Sequence, residues 1–151
     1  MKAVIALGAN LEDPEAAVEL AITLLKESTD LVARSSLYST KPVGGPPQPD
    51  YVNAVCIVDS QLPAHDLLDL LHGIEKSMGR VRKEQWGPRV IDLDLISYGS
   101  LQSSDEVLTL PHPRAHERRF VLEPWLEIDP DAALPLHGQV RNILAQIPPS
   151  K

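Results

Sequence analysis

The chain has 151 residues, of which 43% are hydrophobic and 23% charged, and this length predicts a single domain over 1–151 with a core that needs no disulfide. The formal net charge of −7 argues against a protein that coats nucleic acid, because such proteins neutralise phosphates with lysine and arginine. The single cysteine, Cys56, favours a reducing, cytoplasmic setting, and no stretch reaches the roughly 20 apolar residues of a membrane-spanning helix.

The chain begins with a predicted strand followed by a predicted helix. Residues 2–9 are mostly apolar and predict a buried strand that ends at Gly8. Asp13 predicts the N-cap of a helix whose first position is Pro14, because aspartate accepts from free backbone N–H groups and proline lacks one. The apolar spacing that follows extends this helix to about Ser28.

The remaining elements complete a familiar order of strands and helices. We expect a strand at 31–40, a proline-rich loop at 42–49, a strand at 51–59, a helix at 63–79, a strand at 90–98, a hairpin at 101–110, short helical turns at 111–129 and a last helix at 139–147. The order strand–helix–strand–strand–helix–strand is the split βαβ pattern. It predicts an α+β, ferredoxin-like sandwich in which a mainly antiparallel sheet has its helices packed on one face.

Two carboxylates on the predicted strand at 90–98 are the main candidates for metal binding. Asp92 and Asp94 face the same way, about 6.5–7 Å apart, whereas Ile91, Leu93 and Leu95 face the opposite, core side. The paired charges repel each other, and divalent cations that bridge them to phosphate oxygens would compensate. The alternative is a hydrated strand face, although aspartate is depleted in strands.

A basic segment lies directly before these carboxylates. Its cations are Arg80, Arg82, Lys83 and Arg89. Arginine can hold phosphate oxygens with two parallel hydrogen bonds, and a loop bounded by glycine and proline can close over a site. Trp86 in this loop either covers a bound ligand or anchors the loop by packing. Together, the loop and the carboxylates predict phosphoryl transfer. The glycine-rich lysine motif of P-loop kinases does not occur in the sequence, so the chain is not predicted to be a P-loop kinase.

Two further segments contain candidate ligand contacts. His112 lies between Pro111 and Pro113 and can donate either to a phosphate or to the backbone of its own turn. Tyr51 and Asn53 alternate onto one strand face, where an aromatic ring beside an amide suits a flat heterocycle. The alternative for this pair is an ordinary surface strand.

Taken in order, these motifs resemble those of the 6-hydroxymethyl-7,8-dihydropterin pyrophosphokinase family of folate biosynthesis. The matching segments are Gly79-Arg80-Val81-Arg82-Lys83, Trp86-Gly87-Pro88-Arg89, Ile91-Asp92-Leu93-Asp94-Leu95, Gly8-Ala9-Asn10, Gln48-Pro49-Asp50-Tyr51-Val52-Asn53-Ala54, Leu110-Pro111-His112-Pro113 and Arg118-Arg119-Phe120-Val121-Leu122. The resemblance covers nearly the whole chain. It implies a ferredoxin-like α+β fold and transfer of pyrophosphate from MgATP to the hydroxymethyl oxygen of the dihydropterin, with release of AMP.

The resemblance also implies roles for individual residues. Catalysis would involve Arg80, Arg89, Asp92 and Asp94, and the two aspartates would hold two Mg²⁺ ions. The ATP contacts would be His72, Glu75, Arg82, Trp86, Leu95, Thr109, His112 and Arg118. The pterin pocket would be formed by Thr40, Val43, Tyr51, Asn53 and Phe120, with Tyr51 and Phe120 on either side of the ring. We expect a monomeric, cytoplasmic enzyme that binds neither nucleic acid nor membrane.

Two other functions remain open at this point. One is a different magnesium-dependent nucleotidyl or glycosyl transferase with an Asp-x-Asp pair, which would consume nucleotide without a pterin. The other is a ferredoxin-like regulatory module that binds nucleotide without turnover. In such a module, replacing Asp92 by alanine would remove no activity.

Overall fold

A computed structural model describes residues 1–41, 50–79 and 91–148. The strands are β1 (Lys2–Ala9), β2 (Asp30–Arg34), β3 (Tyr38–Thr40), β4 (Tyr51–Asp59), β5 (Asp92–Tyr98), β6 (Ser103–Ser104), β7 (Thr109–Leu110), β8 (Ala133–Leu134) and β9 (Gly138–Gln139). The helices are α1 (Pro14–Ser28), α2 (Ala64–Gly79), α3 (Arg119–Ile128) and α4 (Val140–Ala145), with a 3₁₀ turn at Ala115–Glu117. Within these ranges, no helix is both long and apolar enough to cross a bilayer.

The central sheet is antiparallel and has the strand order β2-β4-β1-β5, with β3 also paired to β4. Strand β1 lies in the middle and pairs with β4 along its whole length, from Lys2 opposite Asp59 to Ala9 opposite Val52. Because its neighbours run in the opposite direction, the carboxyl end of β1 lies beside the amino ends of β4 and β5. This end of the sheet brings together residues from three distant parts of the sequence.

The first predicted helix is confirmed, and so is its start. Asp13 is the N-cap of α1, and its Oδ1 accepts a hydrogen bond from the Ala16 N–H at 3.2 Å. Pro14 occupies the first helical position, where the missing N–H costs nothing. The expected strand at 31–40 is instead two strands, because the buried Ser35 hydroxyl accepts from the Val55 N–H at 2.9 Å in place of a backbone carbonyl.

Helices cover both faces of the sheet, so the prediction of helices on one face is wrong. Ile5 and Leu7 pack with α1 and α2, whereas Val4 and Ala6 pack with α3 and α4. The expected short helical turns at 111–129 contain α3, a ten-residue helix that continues through Pro124. The cost of that proline is offset because the helix buries an apolar face against the sheet. Its buried residues are Val121, Leu122, Pro124 and Trp125.

Candidate active site

One row of residues crosses four strands at the carboxyl end of β1. The strand register places Asp92 opposite Gly8, Gly8 opposite Asn53, and Asn53 opposite Tyr38. Direct partners in antiparallel strands have Cα atoms about 4.5–5.5 Å apart and direct their side chains to the same face. The carboxylate of Asp92 and the amide of Asn53 therefore flank a position without a side chain.

Gly8 keeps the space between these two groups open. A Cβ atom built on Gly8 would lie 2.9 Å from the Nδ2 of Asn53, closer than carbon and nitrogen atoms pack. The predicted strand bounds of 2–9 are confirmed, but Gly8 lies inside β1 and does not end it. A glycine inside an apolar strand is a known sign of close approach by another group, and this was the signal available in the sequence.

The two candidate metal ligands lie on the expected face of β5. Asp92 is exposed and Asp94 half-buried, whereas Ile91, Leu93 and Leu95 are 2%, 2% and 4% exposed and belong to the core beneath α1 and α2. The predicted alternation is confirmed. A β-strand therefore presents both carboxylates beside the Gly8 gap.

Helix α2 supports this part of β5 through Glu75. The Glu75 Oε2 accepts a hydrogen bond at 2.9 Å from the N–H of Leu93, the residue between the two aspartates. His72 lies exposed one turn earlier on the same helix. Leu95 points into the core, so a nucleotide beside β5 would meet its backbone. The Thr109 hydroxyl donates to the Asp105 carbonyl at 3.2 Å in the small β6–β7 hairpin.

His112 lies close to Asp94 and Arg118. Its backbone N–H donates to the Ile96 carbonyl at 2.8 Å, and its Nδ1 accepts from the Arg114 N–H at 3.2 Å. The neutral ring therefore carries its proton on Nε2. Burial lowers the pKa of His112; the nearby Asp94 opposes this shift, and the arginines at 118 and 114 reinforce it. At neutral pH this residue is an uncharged N–H donor.

Arg118 and Phe120 form a pair at the start of α3. The Cζ of Arg118 lies 5.6 Å from the centroid of the Phe120 ring, a distance at which a cation and an aromatic face attract each other. Phe120 is partly buried against the core under α3. The ring and the guanidinium group are thus held together at the face that also presents Asp94.

Three of the predicted pterin residues, Thr40, Tyr51 and Asn53, lie together on β3 and β4. Thr40 and Tyr51 are directly paired across β3 and β4, and the Thr40 Oγ1 donates to the Asn53 Oδ1 at 2.6 Å. Because Asn53 is 6% exposed and its oxygen is engaged, its Nδ2 is directed toward the Gly8 gap. Five candidates, Val43, Arg80, Arg82, Trp86 and Arg89, lie outside the described residues.

The chemistry of the donor set suits a hard divalent cation. Asp92 and Asp94 offer carboxylate oxygens, the ligands that Mg²⁺ prefers. Within 1–41, 50–79 and 91–148, no group of three or more His, Cys, Asp and Glu residues could hold a metal ion by itself. A cation at this pair would therefore complete its coordination with phosphate oxygens and water, as Mg²⁺ commonly does beside a nucleotide.

The chain is similar to known proteins over nearly all of its length. A family model described as 7,8-dihydro-6-hydroxymethylpterin-pyrophosphokinase (HPPK) matches residues 4–130. A 2-amino-4-hydroxy-6-hydroxymethyldihydropteridine pyrophosphokinase of Haemophilus influenzae is 42% identical over 95% of this chain and 91% of its own length. A relative of the same name from Methylorubrum extorquens is 43% identical over 99% of this chain and 95% of its own length.

Solved structures confirm the predicted α+β fold. A crystal structure of Plasmodium falciparum HPPK-DHPS matches with a TM-score of 0.76 and 13% sequence identity. The match covers 96% of this chain and 45% of that one, so the present chain spans less than half of the solved protein. At this identity the likeness concerns the fold alone. It shows that the arrangement of strands and helices in this chain also occurs in the solved protein.

Proposed function

The chain belongs to the HPPK family and is an ATP-dependent pyrophosphokinase, and we propose that it catalyses its reaction at the Asp92–Gly8–Asn53 row. The reaction transfers pyrophosphate from ATP to the hydroxymethyl group of 6-hydroxymethyl-7,8-dihydropterin, giving the pterin diphosphate and AMP in folate biosynthesis. The hydroxymethyl oxygen attacks the β-phosphorus of ATP, so the acceptor and the nucleotide must meet at one place.

The row across the sheet is the observation that supports this location. Asp92 and Asn53 are separated by two strand spacings, about 10 Å, with the side-chain-free Gly8 between them. A pterin held at Asn53 would extend its hydroxymethyl group over Gly8 toward phosphates held at Asp92. The sheet thereby supplies the orientation that in-line transfer requires.

On the pterin side, the polar contact comes from Asn53. Its Oδ1 is engaged by Thr40 at 2.6 Å, and the Nδ2 offers donors to the heterocycle. Tyr51 and Phe120 are proposed to lie on either side of the ring, since both are aromatic and partly exposed near this face. Val43 is proposed to complete the pocket on the strength of the sequence.

On the phosphate side, Asp92 and Asp94 would hold two Mg²⁺ ions. Bound magnesium neutralises charge on the phosphate oxygens and orients them for displacement. His112 would donate its Nε2 proton to a phosphate oxygen, and Arg118 would add a charged donor beside it. The further proposed ATP contacts are His72, Glu75, Arg82, Trp86, Leu95 and Thr109. The cations proposed to stabilise the transferred group are Arg80 and Arg89.

We propose that the chain functions as a single-domain, cytoplasmic monomer. The net charge of −7 disfavours nucleic acid as a partner. The one cysteine is buried in β4 and cannot link two copies. Its pterin and ATP substrates are small molecules that require neither a membrane nor a second protein.

The test is incubation with ATP, Mg²⁺ and the hydroxymethyl-dihydropterin, followed by chromatographic separation of nucleotides and pterins. The proposal predicts AMP and pterin diphosphate in equal amounts. Formation of ADP, or nucleotide consumption without pterin, would contradict it and favour another transferase; no turnover would favour a binding module.

A pair of aspartate variants tests the location. Asp94→Asn keeps the size of the side chain but removes its charge, so turnover should fall at least 100-fold, on the order expected for loss of an important electrostatic contact. Asp30→Asn is the control, because Asp30 is an exposed carboxylate on β2 at the opposite edge of the sheet. Equal activity of both variants would remove the carboxylate pair from the mechanism.

A further inference from the structure

The carboxylate of Glu127 joins α3 to the segment around β3. Its Oε2 accepts from the Ser36 N–H at 3.0 Å and from the Ser36 hydroxyl at 2.8 Å. Its Oε1 accepts from the Tyr38 hydroxyl at 2.7 Å. One side chain thus fixes two residues of a segment that lies 89 to 91 positions earlier in the sequence.

Strand β3 needs such support because it is short. It has three residues, and among the described strands it pairs only with β4; a pairing of this length is marginal by itself. Residues 35–37 before it are not part of a strand. The hydrogen bonds that Ser36 and Tyr38 donate to Glu127 therefore contribute directly to where β3 lies on the sheet.

The position of β3 in turn determines the position of Asn53. Tyr38 is the direct partner of Asn53 in the sheet, and Thr40 is the residue that donates to the Asn53 Oδ1. A shift of β3 would release that oxygen and rotate the amide. The orientation of the Asn53 Nδ2 toward the Gly8 gap thus depends on contacts made by Glu127.

Helix α3 links this support to the other wall of the proposed pocket. Phe120 and Glu127 are seven positions apart, two helical turns, and so lie on one face of the helix. The helix packs against both β3 and β4. A single rigid element therefore presents the Phe120 ring at one end and holds β3 at the other.

We propose that Glu127 is a positioning residue for the pterin substrate, which acts through Tyr38 and Ser36 to hold β3, Thr40 and Asn53 in the binding arrangement. It does not touch the substrate. The inference rests on the proposed pterin pocket and adds to it the group that determines its geometry.

The protonation states of the pair fit this role. Burial raises the pKa of Tyr38 to about 12, and the hydrogen bond to Glu127 adds to the shift. The Tyr38 hydroxyl bond lowers the pKa of Glu127, and the Ser36 bonds lower it further. At neutral pH the phenol remains a donor and the carboxylate remains a charged acceptor, which is the stronger form of this hydrogen bond.

The test compares steady-state kinetics of Glu127→Gln, Tyr38→Phe and the double variant with those of the wild type. Each single change should raise KM for the dihydropterin about three- to tenfold, with kcat and KM for ATP within about twofold. Tyr38→Phe removes only the Tyr38 hydroxyl bond to Glu127, which Glu127→Gln also alters. The double variant should therefore have a KM for the dihydropterin no higher than that of the worse single variant.

Glu19→Gln provides the matched control. Glu19 also bonds a residue next to this segment, since it accepts from the Arg34 Nη1 at 2.8 Å, but it does so from α1 on the other side of the sheet. The KM of the Glu19→Gln variant for the dihydropterin should equal that of the wild type. Circular dichroism and thermal unfolding of every variant show that each is folded at the assay temperature.

Two results would overturn the inference. One is an unchanged KM for the dihydropterin in Glu127→Gln. The other is a parallel change of kcat and both KM values in proportion to lost stability, which would indicate a purely structural contact. If the wild type forms pterin diphosphate in either case, the proposed function stands and only the role of Glu127 fails; if it forms none, both fail.

Discussion

Replacing Gly8 by alanine tests how the centre of the row is built. The new Cβ would lie 2.9 Å from the Asn53 Nδ2, so the amide must move by about 0.5 Å or more to restore ordinary contact. Asn53 is 6% exposed and has little room to move. The overpacking should cost about 1–3 kcal/mol of unfolding free energy.

The same movement should weaken pterin binding. The Thr40–Asn53 hydrogen bond of 2.6 Å would lengthen or break, and the Nδ2 would leave its position at the gap. Loss of one ligand hydrogen bond, about 1.4 kcal/mol, corresponds to a tenfold rise in KM for the dihydropterin. The assays are urea unfolding and steady-state kinetics at saturating ATP with varied dihydropterin.

Gly73→Ala is the matched control for this prediction. A Cβ at Gly73 would meet no heavy atom within 4 Å, and the residue lies inside α2. Alanine is preferred to glycine there by about 1 kcal/mol, so this variant should be more stable and equally active. Unchanged stability and KM in Gly8→Ala would refute the reasoning.

Three further predictions concern stability and reactivity. Asp13→Ala removes the N-cap bond to the Ala16 N–H and should cost about 1 kcal/mol in urea unfolding, whereas Asp13→Ser should cost less; equal losses would argue against capping. Burial and the stacked His116 lower the pKa of His137, so below a pH of about 6.5 the unfolded chain takes up a proton that the folded chain does not. Stability should therefore fall as the pH falls through that value, and less steeply in His137→Gln; parallel curves for the two proteins would contradict this. Burial raises the pKa of the Cys56 thiol to about 12, so iodoacetamide at pH 8 should label this thiol only in urea. Labelling of the native protein would show that the Cys56 side chain in β4 is accessible to the reagent.

Local patterns in the sequence were sufficient for some elements, among them α1 and β5. The strict alternation around Asp92 and Asp94 identified which face of β5 is core, because a strand directs successive side chains to opposite sides. The start of α1 followed from Asp13 and Pro14 through hydrogen bonding alone. These features depend on neighbours in the chain, and one sequence contains all the information they need.

Features that depend on distant partners could not be predicted in the same way. The alignment of Gly8, Asn53 and Asp92 in one row depends on the register of three strands, and a one-residue slip would place their side chains on the wrong face. Helix α3 continues through Pro124 because it packs on the sheet, a tertiary contact that overrides local propensity. The bonds of Glu127 to Ser36 and Tyr38 have no signal in the sequence.

The most direct test of the account is the location of the metal. The protein would be crystallised with the dihydropterin, an ATP analogue that cannot be cleaved, and Mn²⁺ as a substitute for Mg²⁺. Anomalous scattering should then show manganese within coordination distance, about 2.0–2.3 Å, of carboxylate oxygens of Asp92 and Asp94. The hydroxymethyl oxygen should point across Gly8 toward the β-phosphorus. Manganese bound elsewhere, with both carboxylates in contact only with water, would contradict the central claim.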